Sequence, residues 1–444
     1  MRCTVKGGKP LRGTLRLPGD KSLSHRAILF ASLAEGRSEI DNLLLAGVTQ
    51  PMLAALTAFG IQWSLQEQHL TVEGKGLEGW KNPVGVIDCG NSATTMRLLA
   101  GAMAAANVEG VLDGSPGLRR RPMERIVQPL QKMGVAIRAT DGCAPLTITR
   151  SLHPLRGMEH QLEVASAQVK SCLILAALVA DRPTQICEPG PSRDHTERML
   201  ASMGAKIESI PPQGENQANY QTWVEPLSEP LKPLQMQLPG DISSAAFFIV
   251  GGLIAPDSEI AIENVGLNPT RCGLLETLGE MHAKLSIEGT QAQGGEPCGQ
   301  ICIRSSLLKA TTVMGERVVR MIDEFPVFGV AAAYAQGETL VADAQELRYK
   351  ESDRIAMLCQ ELRKLGVEAI ETQDGFRIIG KGKVTGGVVN AHGDHRLAMA
   401  LMVAGLGSQE PVVVEGAEIV TESLPQFIPL LRSLGADILC ETDG

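Results

Sequence analysis

Apolar positions along this chain fall into two recurring patterns. The first is a segment that is apolar almost all round, as expected of a helix buried on every side. It appears as DKSLSHRAILFASLAEG, NSATTMRLLAGAMAA, SAQVKSCLILAALVA, DISSAAFFIVGGLIA, DEFPVFGVAAAYAQG and DHRLAMALMVAGLG. Each copy opens on a good N-cap candidate, in turn Asp20, Asn91, Ser166, Asp241, Asp323 and Asp394, because a short polar side chain can accept from the unpaired N–H groups of a first turn. The second pattern is an amphipathic stretch closing on Leu, Met or Phe, then Gly, then an apolar run: LTAFGIQW, LQKMGVAI, LASMGAKI, LETLGEMHAKL, LRKLGVEA and LRSLGADI. Its glycines, Gly60, Gly134, Gly204, Gly279, Gly366 and Gly435, read as helix C-cap residues leading into strands. β-Rich segments such as SEIDNLLL, EIAIENV and PVVVEGAE follow several of the buried helices.

The glycine intervals are 74, 70, 75, 87 and 69 residues, longer than the common solenoid repeats. They predict six α/β units, each roughly strand, helix, strands, helix, strand, arranged as a duplicated domain. LPGD occurs at Leu17–Asp20 and again at Leu238–Asp241, with the Pro and Gly expected where a chain crosses. Residues 1–19 with 240–444 are therefore expected to form one lobe and 20–239 the other, with hinges at 17–20 and 238–241. A length of 444 residues supports two or three cores.

Composition narrows the function classes. A net charge of −9 argues against a broad basic face for nucleic acid or anionic membrane, so any anion site is local. The start MRCTVKGGKPLRG lacks the apolar core of a signal peptide, and apolar runs elsewhere break before about 20 residues. A cytoplasmic protein is expected. Ten cysteines without a CxxC pair read as structural thiols; Cys298 and Cys302 are the nearest neighbours. His392 and His395 lack further ligands nearby, so no metal is assigned. GxxxxGK[ST], GxGxxG and GxSxG are all absent, which removes support for nucleotide-dependent kinase, dehydrogenase and hydrolase readings.

A helix N-terminus repels cations in its first turn, yet Lys21, Lys170 and Arg396 stand near predicted helix starts. Bound anions would offset that repulsion. In ELRYKESDRI, a helix would place Lys350 and Arg354 at i and i+4, with Glu351 compensating through its i+3 relation to Arg354. A phosphate between the two cations would turn the repulsion into binding. Arg119, Arg120 and Arg121 form a compact basic run without the interleaved aromatics of a nucleic-acid patch. These residues point to small anions bound between domains, and no further.

LPGDKSLSHRA, GNSATTMRLLAG, RRPMERIVQPL, SAQVKSCLILA, PSRDHTERML, PGDISSAAF, IDEFP, LRYKESDRI and GDHRLAMA closely resemble, in order, the blocks of the 5-enolpyruvylshikimate-3-phosphate (EPSP) synthase family. The resemblance implies two similar domains, each of three βαβαββ-type units in an inside-out α/β barrel. It implies transfer of the enolpyruvyl group of phosphoenolpyruvate to shikimate-3-phosphate by addition and elimination, without cofactor or metal, with domain closure around both anions. Lys21, Ser22, Arg26, Ser166, Ala167, Gln168, Arg193, Asp323 and Lys350 would contact shikimate-3-phosphate. Phosphoenolpyruvate would meet Lys21, Asn91, Ala93, Thr94, Arg121, Gln168, Glu351, Arg354 and Arg396. Asp323 would take the acceptor's proton, Lys350 and Glu351 would handle protons at the enol carbon and phosphate, and Lys21 completes the catalytic set. Ser22, Ser24, His25 and Arg26 favour this branch over the sister transferase acting on UDP-N-acetylglucosamine, and the intact acid–base residues argue against a non-catalytic anion-binding scaffold. Ala93 stands where many members have Gly, which implies reduced sensitivity to glyphosate. Glu422 replaces a Lys of some members and is left out of the site. A monomer is expected.

Overall fold

Local capping decides where the buried helices begin. In the computed structural model, which describes residues 1–212 and 219–441, they are α1 (Lys21–Leu33), α2 (Ala93–Ala106), α3 (Ala167–Ala177), α4 (Ile242–Ile254), α5 (Phe325–Tyr334) and α6 (His395–Ala404). Asp20, Ser166, Asp241 and Asp394 cap four of them as their positions predict, each accepting from a first-turn N–H. Two caps differ. Ser92, not Asn91, caps α2 through Thr95 N–H, because helix begins at Ala93 and Asn91 lies one residue too early. At α5 the cap position is Glu324, not Asp323, and its side chain makes no cap bond.

The closing glycines behave similarly. Gly60, Gly134, Gly204, Gly366 and Gly435 adopt positive φ, whereas Gly279 lies inside the helix Gly273–Glu280. There His282, with φ of 65°, takes the left-handed position instead. Its N–H donates to Gly279 O at 3.1 Å while Ala283 N–H reaches back to Leu278 O at 3.0 Å. Gly60 and Ile61 close their own helix by the same pair of bonds, so the pattern at Gly279 was read three residues early.

The chain divides into two compact units. One comprises Met1–Pro18, Pro239–Gln291 and Pro297–Gly444; the other comprises Gly19–Leu238 with Ala292–Glu296, the last five residues being ones that the sequence assigned to the first lobe. Among the described residues each unit holds three four-stranded sheets of one design. A parallel pair is extended by two antiparallel strands: Val86–Asp88 lies parallel to Gly110–Asp113, which pairs antiparallel with Cys143–Thr149, and Ala136–Thr140 follows on the edge. The strands come in βαβαββ order.

Three sheets borrow a strand from elsewhere in the sequence, and in one of them Arg12–Arg16 lies parallel to Glu259–Gly266. Gln235–Gln237 lies parallel to Glu35–Asp41 and completes the first sheet of unit 2. Arg2–Lys6 inserts between Val412–Glu415 and Asp437–Glu441 and completes the last sheet of unit 1. That register sets Cys3 opposite Cys440, and the two form a disulfide. The expectation of unpaired structural thiols therefore fails for this pair, because the chain's ends become neighbours only through strand pairing. Cys298 and Cys302 remain free.

Each unit has its own apolar core. In unit 2, α2 and α3 approach so closely that a Cβ at Gly101 would lie 2.3 Å from the carbonyl oxygen of Cys172. Small residues on these helices permit backbone contact, and the helix starts that carry polar side chains are fixed by it. No helix among the described residues is long and apolar enough to cross a membrane.

Candidate functional site

In unit 2, α1 begins with Lys21 and Ser22, both half-buried. The ring nitrogens of His25, one turn on, lie 2.8 Å from Lys21 O and 2.9 Å from Val48 O, with Ser92 Oγ 3.3 Å from Nε2. Burial, with Lys21 and Arg26 nearby, lowers the imidazole to about 4 against the pull of its carbonyl partners. His25 thus ties the start of α1 to the cap of α2. Arg26 is buried and bonded at all three nitrogens: Nε donates to Thr196 Oγ1 at 2.7 Å, Nη2 to Ser171 Oγ at 2.8 Å and Nη1 to Ser22 O at 3.0 Å. Burial is also what lowers its guanidinium to about 10.

Thr94 and Gln168 are brought together across α2 and α3. Gln168 Nε2 donates to Thr94 Oγ1 at 2.8 Å, and its Oε1 accepts from Arg97 Nη1 at 2.6 Å. Arg97 was not singled out from the sequence. It also donates to Pro122 O at 3.0 Å, and burial together with Arg121 and Arg125 brings it down to about 10. The signal for it was the rule already applied to Lys21: a cation near the start of a buried, apolar helix. The basic run then divides. Arg119 forms a bidentate pair with Asp113, Arg120 is exposed, and Arg121 is half-buried beside Arg97. Ala93 opens α2 with 4% exposure, and exposed Asn91 accepts from Ser115 Oγ at 3.1 Å.

At α3, Ser166 caps the helix and donates its own N–H to Glu188 Oε1 at 3.1 Å. Ala167 opens the helix, half-buried like Ser166 and Gln168, and Arg193 is half-buried too. Lys170 does not wait for an anion. Its Nζ is 2.8 Å from Glu188 Oε2 and 2.8 Å from Glu197 Oε1, all three residues buried, so internal carboxylates supply the negative charge that the sequence argument assigned to a ligand.

In unit 1 the acid–base candidates gather at the starts of three helices. The stretch before Arg354 is not helical: Lys350 is extended, and the helix Arg354–Lys364 begins after Asp353 caps it. The predicted i, i+4 relation of Lys350 and Arg354 is therefore absent, because the short polar Asp353 stops the turn there. Glu351 does pair with Arg354, at 2.7 Å, although outside any helix face.

Arg354 is 2% exposed and sits among three carboxylates. Its Nε donates to Asp394 Oδ2 at 2.7 Å, its Nη2 to Glu351 Oε2 at 2.7 Å, and its Nη1 lies 3.8 Å from Asp323 Oδ1. Burial pushes Asp394 up, but the charge and hydrogen bond of Arg354 reverse this and hold its carboxyl below the usual range. Arg396, in the first turn of α6, approaches Asp323 from another side, with Nη2 3.7 Å from Oδ2 and Nη1 donating to its carbonyl at 3.2 Å. A half-buried carboxylate framed by two guanidiniums can accept a proton while the cations hold an anion beside it. His392 instead pairs with Glu361 at 2.8 Å. Glu422 is exposed.

The family model described as EPSP synthase (3-phosphoshikimate 1-carboxyvinyltransferase) matches residues 5–431. The 3-phosphoshikimate 1-carboxyvinyltransferase of Desulfitobacterium hafniense (strain DSM 10664 / DCB-2) is 42% identical over 426 residues, covering 96% of this chain and 95% of its own. That of Alkalilimnicola ehrlichii is 44% identical over 437 residues, covering 98% and 96%. A solved EPSP synthase from Acinetobacter baumannii superposes with a TM-score of 0.89 at 38% identity, over 99% of this chain and 100% of that one. The enolpyruvyl transferase NikO from Streptomyces tendae shares the fold, with a TM-score of 0.78 at 18% identity over 100% of this chain and 99% of its own. Matched along almost its whole length by a family model and by relatives well above 30% identity, this chain belongs to the EPSP synthase family.

Proposed function

We propose that the protein transfers the enolpyruvyl group of phosphoenolpyruvate to the 5-hydroxyl of shikimate-3-phosphate and releases phosphate. The observation that carries this reading is Asp323, set between Arg354 and Arg396 in a chain whose family model spans residues 5–431. The hydroxyl oxygen attacks C2 of phosphoenolpyruvate while its proton passes to the Asp323 carboxylate. A proton delivered to C3, from Lys350 or Glu351, makes that methylene a methyl group. The C2–O bond to phosphate then breaks, phosphate leaves with the electron pair, and loss of a methyl proton restores the enol ether.

In this reading Lys21, Ser22, Arg26, Ser166, Ala167, Gln168 and Arg193 serve shikimate-3-phosphate, together with Asp323 and Lys350. Lys21, Asn91, Ala93, Thr94, Arg121, Gln168, Glu351, Arg354 and Arg396 serve phosphoenolpyruvate. Arg26 is held by Thr196, Ser171 and Ser22 through one N–H on each nitrogen, so a direct contact would use the second N–H of Nη1 or Nη2. Proton transfer alone supplies about 10²- to 10⁴-fold. Holding two anions in line adds up to roughly 7–11 kcal/mol, which is why cations outnumber acid–base groups among these residues. The proposed protein is a cytoplasmic monomer of two lobes hinged at 17–20 and 238–241, with no nucleic-acid or membrane partner.

A phosphate-release assay with both substrates tests the reading. Asp323→Ala should lose at least about 10²-fold in turnover. Near-normal turnover in that variant would remove Asp323 as the base, and no release by the wild type would remove the function.

A further inference from the structure

Glu324, the residue after Asp323, occupies the N-cap of α5 yet makes no cap bond. Ser, Thr, Asp or Asn there would bond a first-turn N–H. The Glu324 side chain instead turns away, 1% exposed, and its Oε1 accepts from the hydroxyl of Ser243 in the first turn of α4. Ser243 Oγ in turn accepts from Arg271 Nη2 at 2.6 Å, and the same Nη2 donates to Asp241 Oδ1 at 3.1 Å. Asp241 Oδ1 also caps α4 through Ser243 N–H at 2.8 Å. All four residues are buried, with Ser243 at 1%, Arg271 at 2% and Asp241 at 6% exposure.

A buried carboxylate is costly unless it is hydrogen-bonded and matched by charge, so the local cap has been given up for a tertiary anchor. What the anchor holds is the backbone at Glu324. Its N–H donates to Met321 O at 3.0 Å, and its carbonyl accepts from Phe328 N–H at 2.9 Å as the first bond of α5. Asp323 lies inside the turn that the first of these bonds closes. Its carbonyl takes a bond from Arg396 at 3.2 Å, and its carboxylate stands 3.7–3.8 Å from two guanidiniums, distances at which small displacements decide which contacts form.

We propose that Glu324, anchored by Ser243 and Arg271, is a positioning residue that sets where Asp323 presents its carboxylate. The proposal rests on the reading of Asp323 as the base. Misplacement of a reacting group by about 1 Å can cost about 10²-fold in rate. Glu324→Ala and Ser243→Ala, the latter deleting only the bridging hydroxyl, should therefore lower kcat by about tenfold or more. The KM values of both substrates should stay within about threefold, since the cations remain. Glu324→Gln keeps an acceptor oxygen for Ser243 and should recover most of kcat. Where Glu324→Ala fails to fold, Glu324→Asp replaces it, because a carboxylate one methylene shorter withdraws from Ser243.

Wild-type turnover is measured first. Its absence defeats the functional reading, whereas wild-type turnover with kcat unchanged in Ser243→Ala and the Glu324 variants defeats only the proposal. A Gln variant as impaired as Ala, or KM rising in step with falling kcat, also overturns it. The pH dependence of kcat gives a readout that a merely structural role would not move: its acid limb should shift in Ser243→Ala, because the distances from Asp323 to Arg354 and Arg396 change.

Discussion

Replacing Lys170 by Met removes one cation from between two buried carboxylates. Its Nζ lies 2.8 Å from both Glu188 and Glu197, and the three residues are 4%, 1% and 5% exposed. With an effective dielectric of about 20, each contact is worth a gross ~6 kcal/mol, most of it cancelled by desolvation. Breaking such a pair by deleting one partner costs about 3–5 kcal/mol, because the other charge stays buried without compensation. Burial opposes the charge on Lys170, but the two glutamates overcome it and hold its pKa above the usual lysine range. The lysine's contribution is fully present below its unfolded pKa and is lost only as pH rises through the folded value, so its own titration adds no pH dependence between pH 5 and 8.

The variant behaves differently. Burial already raises Glu197 above the usual carboxylate range, with Lys170 offsetting it only in part. Without Lys170 the carboxylate rises further. A carboxylate with a raised folded pKa costs nothing below its unfolded value and costs more as pH climbs toward the folded one, by up to about 1.4 kcal/mol per unit. The deficit measured from urea midpoints should therefore be small at pH 5 and approach about 3–5 kcal/mol at pH 8. An equal deficit at the two pH values, or one below about 1 kcal/mol at pH 8, refutes the reasoning.

Three further outcomes are expected. Gly101→Ala puts a methyl 2.3 Å from the Cys172 carbonyl, so α2 and α3 must part; the gain in helix propensity of up to about 1 kcal/mol should be outweighed by overpacking of about 1–3 kcal/mol, read as a lowered urea midpoint. Ala93→Gly removes a methyl at the start of α2 and should increase inhibition by glyphosate in the phosphate-release assay; unchanged inhibition counts against any part for the Ala93 methyl in glyphosate sensitivity. Oxidised wild type should resist urea better than protein treated with reductant, because Cys3 and Cys440 close the chain across 437 positions, and Cys3→Ser should be insensitive to reductant. Equal midpoints for oxidised and reduced wild type would show that the staple adds nothing.

Much of the site was legible because it is written in short segments. Asp20, Ser166, Asp241 and Asp394 cap their helices as their type and position predict, since capping depends on a few consecutive residues. Arg396 stands out as a cation near a helix start and Arg354 as the i+4 partner of Lys350, and both approach Asp323. The failures have equally specific causes. Lys170 looked like an anion ligand because Glu188 and Glu197 lie on other elements, and nothing local announces that they turn toward it. Arg97 was passed over inside an apolar run, although its partner Gln168, 71 positions away, had been chosen. The i, i+4 relation of Lys350 to Arg354 supposes a helix through both, and the capping Asp353 puts the helix start past Lys350.

By itself, then, the sequence determined the number and kind of repeating units, the starts and stops of most helices, and the family, because these follow from local patterning and ordered motifs. Only the tertiary structure decided which charges are spent inside the protein and which strands complete which sheets. Arg2–Lys6 finds its place between two strands from the far end of the chain, and Glu324 forgoes its own helix for Ser243. The physical reason is that burial and ion pairing depend on distances through space, and residues hundreds of positions apart acquire those distances only when the helices and sheets pack.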